Sequence, residues 1–478
     1  VKPGNAGQSP AIKTEALVKR SCLALAALLL CAAGVRAGDP QPPVSSDAIK
    51  EAIEKLAGEE FMGREAGSEG GKKAGDWIAE QCRKLGLEPA GDDGTYFQSF
   101  KASGRRMRNV IATLPAKAGS ELADEVFVIG SHYDHLGKGG FGALDFMTGA
   151  GKVHYGADDN ASGSTGTLTL ARSFAAQGPA RRRVVFVWFD GEELGLFGSK
   201  NYVKKPPFPL EKTVAMLNMD MIGRLSKDKL TVYGVGSGST FADIEKRAEE
   251  GSDLHFDLKD TMPPNSDHFT FYEKKVPVVA LFTGLHRDYH RATDTVDKID
   301  FEGMARILRY GYRLCRGIAD SETRPVYART KDGSAEAMLE QIESMIDEDQ
   351  LKKIFGSQEG LEKLFKEGGL DKIREKLRGT GIFGQRQRPR FGVSTEDAED
   401  GRGVIVSRVT DGSVAAKTGV KEGDRILSFD GKGVSDFGSL AAAIRDAHGK
   451  VKVLVERDGK TIELEAELPG ENAAKRWL

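Results

Sequence analysis

The sequence predicts an α/β protein: a mixed, mostly parallel sheet flanked by helices, then a helical connector and a small β-rich module. Three observations predict it. From Met107 onward, short apolar, β-branched runs alternate with segments of helical spacing, the layer pattern of α/β folds. The chain has 478 residues, too many for one ordinary core. From about Phe391 the alternation gives way to strands with one helix.

Taken in order, Lys19-Arg20 precede the apolar run Leu23–Val35, which closes on Val35-Arg36-Ala37. A basic start, a short apolar middle and small residues at the last and third-last positions describe a secretory signal peptide over residues 1–37. The run is shorter than the roughly 20 residues of a membrane span. Export to the periplasm or the extracellular space is expected, with no transmembrane span after signal removal. Cys22 and Cys31 would leave with the signal, and Cys82 and Cys315 read as two separate buried thiols. A net charge of -2 gives no bulk positive field for nucleic acid.

Ser45–Leu56 and Gly70–Leu87 have helical spacing. Asn109–Leu114, Glu125–Ser131, Arg183–Asp190, Val214–Asp220 and Val276–Phe282 read as strands buried on both faces. Between them, Ser162–Ala176, Leu194–Lys204, Phe241–Glu250 and Phe301–Cys315 read as helices. Residues 334–380 form a helical connector, with Met338, Leu339, Ile342, Met345 and Ile346 at helical spacing and several glycines breaking it. Val404–Val409, Arg425–Phe429, Lys450–Arg457 and Thr461–Leu468 are strand-like, Asp458-Gly459 is a hairpin turn, and Ser439–Ala447 is helical.

Five residues lie where such a fold gathers a site. His132 follows one strand, Glu193 another, Asp220 ends a third, Asp159 precedes a helix and His290 follows the last strand. Open α/β sheets bind ligands beyond the carboxyl ends of their strands. Two imidazoles and three carboxylates suit zinc or a similar divalent ion. Three carboxylates repel one another without cations, and charge matching favours two ions, with a carboxylate bridging them. Glu192, beside the committed Glu193, is the natural general base: it takes a proton from the reacting water and returns it to the leaving amine. Asp134 could accept the spare N–H of His132, and Asp294 could do the same near His290.

Other signals are set aside. Gly137–Gly142 satisfies G-x-G-x-x-G, but no helix follows it. It reads as part of a mobile glycine-rich loop, Gly137–His154, whose Phe141, Leu144, Phe146 and Met147 could wall a pocket. Asn160-Ala161-Ser162 matches a glycosylation acceptor but falls inside the metal motif. No Gly-x-Ser-x-Gly elbow is present.

His-x-Asp, Gly-Ala-Asp-Asp-Asn-Ala-Ser-Gly, Glu-Glu-x-Gly-Leu-x-Gly-Ser, Asn-x-Asp-Met-x-Gly and the late Tyr-His together resemble the co-catalytic di-zinc aminopeptidases, relatives of bacterial leucyl aminopeptidases and glutamate carboxypeptidases. The resemblance implies a zinc-peptidase (phosphorylase/hydrolase-like) domain over residues 45–325, acting on peptide substrates. It implies that Asp159 bridges two zinc ions, His132 and Asp220 completing one site and Glu193 and His290 the other, with Glu192 as acid/base. It also implies a cis peptide at Asp159-Asn160, with Asp158 the rival for the bridging role. A di-zinc carboxypeptidase, a glutaminyl cyclase-like enzyme and a non-catalytic peptide-binding protein are the competing readings.

Arg390-Phe391-Gly392-Val393, Gly412–Ala416 and Gly419–Ile426 resemble PDZ domains of secreted bacterial proteases, over residues 384–470. That resemblance implies a groove for a C-terminal peptide, its carboxylate held by the amides of Phe391, Gly392 and Val393. Arg388 or Arg390 could assist, and the chain's own Trp477-Leu478 could be the occupant.

Overall fold

Four strands make the centre of the fold because their sequences leave no polar face. The protein is described by a computed structural model, which covers Val1 and residues 44–468 apart from 140–141, 146–147, 150, most of 335–390, 399 and 410–412. The signal peptide, most of the connector, Arg388, Arg390 and the C-terminal tail lie outside the described residues.

The first elements are α1 (Ser46–Leu56), α2 (Glu69–Lys84), β1 (Glu88–Pro89), β2 (Phe97–Ala102), β3 (Arg105–Leu114) and β4 (Val126–His132). Then come α3 (Gly163–Gln177), β5 (Arg183–Phe189), α4 (Phe197–Lys204), β6 (Thr213–Met219) and β7 (Lys229–Tyr233). They are followed by α5 (Phe241–Glu249), β8 (His255–Lys259), β9 (Thr261–Met262), α6 (His268–Glu273), β10 (Val278–Phe282), α7 (Phe301–Asp320) and β11 (Lys331–Asp332). A nine-stranded sheet runs β1-β3-β5-β4-β6-β10-β7-β8, with β2 on β3. Its middle strands β5, β4, β6 and β10 are parallel, while β3 and β7 join antiparallel. Register sets His132 beside Phe189, Gly130 beside Asn218 and Leu281 beside Met219. The carboxyl ends of all four central strands are therefore level.

Alternate residues of each strand face opposite layers. Phe127, Ile129, Phe186, Trp188 and Leu217 pack against Ile49, Ile78, Leu168, Ile244 and Leu308 from α1, α2, α3, α5 and α7. Val128, Val185, Val187, Phe189 and Met216 pack against Tyr202 of α4 and Phe271 of α6. Cys82 and Cys315 sit unpaired in the first layer, and burial pushes the Cys82 thiol up to about 12 and raises that of Cys315. Thiolate is the reactive form, so both cysteines should resist a thiol reagent in the native protein and react after denaturation. Labelling followed by peptide mass mapping checks this.

The expected strands and helices appear with shifted ends, and some were not expected. The helix expected from Leu194 starts at Phe197, because Gly195 (φ 126°) and Leu196 (φ 62°) are in left-handed backbone. Strands β2, β7 and β8 and helix α6 are additional. The alternating charges of β8 (burial exposed, half-buried, half-buried, exposed, half-buried) mark an outer strand.

The C-terminal module holds β12 (Val393–Asp397), β13 (Val404–Val409), α8 (Val414–Thr418), β14 (Arg425–Phe429), β15 (Lys432–Gly433), α9 (Phe437–Asp446), β16 (Gly449–Arg457) and β17 (Lys460–Leu468). All its strand pairs are antiparallel, in the order β12-β13-β14-β16-β17 with β15 on β14. Asp436 and Ser439 form a reciprocal capping box at the start of α9. Val404, Val406, Ile426, Phe429, Leu440, Val453 and Val455 fill the core. No helix among the described residues is long and apolar enough to cross a membrane.

Candidate metal centre

The level strand ends deliver the expected donors to one place. His132, the last residue of β4, is buried, and its Nε2 lies 3.4 Å from Asp159 Oδ1 and 3.4 Å from Asp220 Oδ1. His290 Nε2 lies 3.1 Å from Asp159 Oδ2 and 3.0 Å from Glu193 Oε2. The two oxygens of Asp159 thus face two separate donor clusters. Asp158, the rival, is committed elsewhere: Oδ1 accepts from Gly223 N at 2.7 Å and Oδ2 lies 3.0 Å from His286 Nε2.

Donor chemistry and spacing fit a divalent metal. His132 Nδ1 is 3.2 Å from the carbonyl of Asp134 and His290 Nδ1 is 3.0 Å from that of Gly142. A carbonyl only accepts, so each Nδ1 carries a proton and each Nε2 faces the carboxylates. Four-coordinate zinc with arms of about 2.0–2.1 Å separates its ligand atoms by about 3.3 Å, close to the distances here. Asp159 Oδ2 and Asp220 Oδ1 are buried without a hydrogen-bond partner, as atoms reserved for a cation would be.

Electrostatics point the same way. Burial pulls the His132 and His290 imidazoles down, but Glu192 and Asp220 around the first and Glu193 and Asp159 around the second hold both well above the usual histidine range. Burial opposes ionisation of Asp159 and Glu193, yet the facing histidines keep Asp159 well below the carboxylate range and Glu193 at about 2. These groups demand positive charge. Glu192 is the exception: burial, then Glu193, Asp220 and Asp267, raise it well above the ordinary value against the pull of His132. Its Oε2 lies 4.0 Å from His132 Nε2, outside both clusters, and its side chain is 12 % exposed.

Local sequence explains each placement. The Asp159-Asn160 peptide is cis, and Asn160 is fully buried, with Oδ1 accepting from Gly163 N (2.8 Å) and Met221 N (3.2 Å) and Nδ2 donating to Met219 O (3.1 Å). That ties the start of α3 to the end of β6 and leaves no room for a glycan. The Asp134 carboxylate accepts from Glu192 N (3.1 Å) and Glu193 N (3.3 Å), anchoring the turn after β5, while its Oδ1 is 3.6 Å from His132 Nδ1. Its carbonyl is the closer partner of that imidazole. Asp294 differs from its expected place: it accepts from Asp158 N (2.9 Å) and Asp159 N (3.1 Å) and pairs with Arg224. It holds the Asp158-Asp159 loop rather than the imidazole of His290, whose Nδ1 is taken by the carbonyl of Gly142. His290 holds φ 54°, sparse for a residue with a Cβ. Its carbonyl is held by Leu144 N at 2.9 Å and its ring stacks on Tyr289 at 3.9 Å.

His135 carries a weaker sequence signal than the five expected donors. It is buried, its Nδ1 is 2.9 Å from Glu193 Oε1 and 3.9 Å from Asp159 Oδ2, and with those two residues it forms a further possible ligand group. Its spacing of three from His132 was the available signal. His268 opens α6 and faces Pro263 O at 3.0 Å, burial lowering it to about 4.

A cavity of about 360 Å³ opens over the cluster, lined by His132, Asp159, Glu192, Asp220 and His290 and by the apolar or aromatic side chains of Met221, Tyr233, Phe282, Leu285 and Tyr289. The apolar wall comes from β7, β10 and the loops after β6 and β10. Leu144 is tied to His290 instead, and Phe141, Phe146 and Met147 lie outside the described residues.

In the C-terminal module, Phe391 is buried against Phe429 (ring centroids 4.9 Å), and its carbonyl accepts from Ala415 N at 2.7 Å. Gly392 has φ 90°, and a Cβ there would meet Ser413 Cβ at 2.3 Å. Val393 opens β12, the end strand of the sheet.

Residues 109–313 match the peptidase family M28 model and residues 389–468 the PDZ domain model. A probable leucine aminopeptidase of Trichophyton verrucosum is 27 % identical over 257 residues, 51 % of this chain and 64 % of that protein's own length. A solved zinc aminopeptidase from Bacillus subtilis is 17 % identical with TM-score 0.47, covering 60 % of this chain and 99 % of that one. Porphyromonas gingivalis glutaminyl cyclase is 18 % identical with TM-score 0.45, covering 57 % and 98 %. The M28 match encloses every donor described above, and the chain therefore carries a peptidase family M28 domain followed by a PDZ domain.

Proposed function

We propose that this chain is an exported aminopeptidase that uses two zinc ions to hydrolyse the first peptide bond of its substrates. The observation that carries the reading is the shared carboxylate: Asp159 turns one oxygen to the His132 cluster and the other to the His290 cluster. Asp159 would bridge, His132 and Asp220 would hold one ion, and Glu193 and His290 the other. When bound, the ions would acidify a water and polarise the substrate carbonyl.

The rest falls to the chain's own groups. Glu192 stands beside the clusters without belonging to either, and burial and the neighbouring carboxylates raise its affinity for a proton. It takes the proton given up by the water and hands it to the departing amine. The apolar wall of the cavity accepts an aliphatic or aromatic first side chain, in keeping with the leucine aminopeptidase name of the fungal relative. The basic, apolar and small-residue sequence at Lys19–Ala37 supports export. The PDZ domain, with Phe391–Val393 beside an end strand, supports capture of a peptide C-terminus.

Profiling on a peptide library with and without a chelator tests the reading. Leu, Met or Phe should be released from free-amine peptides and not from N-acetylated ones. A chelator should abolish release and zinc should restore it. Release of C-terminal glutamate, or cyclisation of N-terminal glutamine, would replace this reading with another enzyme on the same donor set. Absence of any turnover would leave a peptide-binding protein.

A further inference from the structure

Arg64 is among the largest fully buried side chains of the described residues, and its hydrogen bonds run to main-chain carbonyls. Nε donates to Tyr133 O (2.8 Å), Nη1 to Leu56 O (2.7 Å) and Tyr155 O (2.7 Å), and Nη2 to Gly156 O (2.9 Å). Tyr133 lies between His132 and Asp134, and Tyr155-Gly156 lead into Asp158-Asp159. One guanidinium therefore joins the two loops that carry donors to both clusters.

The backbone around it repeats the link. Arg64 O accepts from His135 N (3.2 Å) and Gly63 O from Gly137 N (3.0 Å). Arg64 itself holds φ 48°, a left-handed conformation that a side chain rarely adopts without outside support. A Cβ on Gly63 would meet His154 O at 2.4 Å and Gly137 O at 2.5 Å, so the segment is wedged against the loop it supports. Only a planar fork with several N–H groups reaches four carbonyls in different directions; an ammonium presents its donors from one atom. The carboxylates of the site repel one another before any cation arrives, so the loops need a restraint that does not depend on metal.

We propose that Arg64 is a positioning residue that pre-assembles the metal centre, fixing the His132–His135 loop against the Tyr155–Asp159 loop so that zinc meets a formed donor set. The inference rests on the two-zinc reading above. Arg182 supplies the control. It is equally buried and bonds to Glu125 and to the carbonyls of Ile318 and Ser321, but it precedes β5 at the opposite end of the sheet from the donors.

Zinc affinity, measured by competition with a chromophoric chelator, and the melting temperature of metal-free protein are compared for wild type, R64K and R182K. Arg64→Lys should weaken zinc binding by about 10–100-fold, the range seen when groups supporting metal ligands are lost. Arg182→Lys should lower the melting temperature and leave zinc affinity at the wild-type value. Unchanged zinc affinity in R64K, with two ions bound by wild type, overturns the role of Arg64 alone. Wild type that binds no zinc overturns the two-zinc reading and this inference with it. If R64K does not fold, amide hydrogen exchange on metal-free wild type decides: protection of the 133–137 and 156–161 amides is expected, and protection that appears only with zinc overturns the proposal.

Discussion

Glu192→Gln should lower turnover by about 10²–10⁴-fold, the usual contribution of a positioned acid/base, while zinc content stays at the wild-type level. The substitution keeps shape and removes the ability to take up a proton. The clusters keep all their donors, because Glu192 is 4.0 Å from His132 and contributes to neither. Steady-state kinetics on a leucine chromogenic amide, with elemental analysis of the same sample, measures both quantities. Turnover equal to wild type would remove Glu192 from the proton path. Loss of zinc together with turnover would show instead that it helps to hold the metal.

Asp159→Ala should lose both ions and lower kcat/KM by about 10³-fold or more, since metal polarisation supplies several kcal/mol of transition-state stabilisation. A residue serving one ion would leave the other in place. Asp159 faces His132 through Oδ1 and His290 through Oδ2, so removing it opens both clusters together. Zinc stoichiometry by mass spectrometry is the deciding measurement, and circular dichroism of the metal-free variant separates a lost ligand from a lost fold. Full zinc content in this variant refutes the bridge.

The legible parts of the fold were those whose physics is local. Strands β4, β5, β6 and β10 are apolar on both faces and read as continuous hydrophobic runs. Strand β8 alternates charged and apolar residues at an outer position, and β2 reads Phe-Gln-Ser-Phe-Lys-Ala with only Gln98 buried, so neither announces itself. The same division runs through the site. His132, Asp159, Glu193, Asp220 and His290 sit in motifs whose neighbours reveal them. Asp294 was assigned by nearness in sequence to His290, whereas its partners are amides more than a hundred residues away. Arg64 carries no signal at all, because its partners are carbonyls, which every residue possesses.

The donors span His132 to His290 and arrive from strand ends, from the segment before α3 and from the loop after β10, which only the complete sheet brings together. An unfolded chain offers no such arrangement. On the proposed function, a cation gripped there binds the native state alone and lowers its free energy by mass action, about 4 kcal/mol at a thousand times the dissociation constant. The centre that would cleave peptides would then also act as a fastener for the domain. Deprived of trace metal, such an enzyme would face unfolding and proteolytic clearance as well as inactivity.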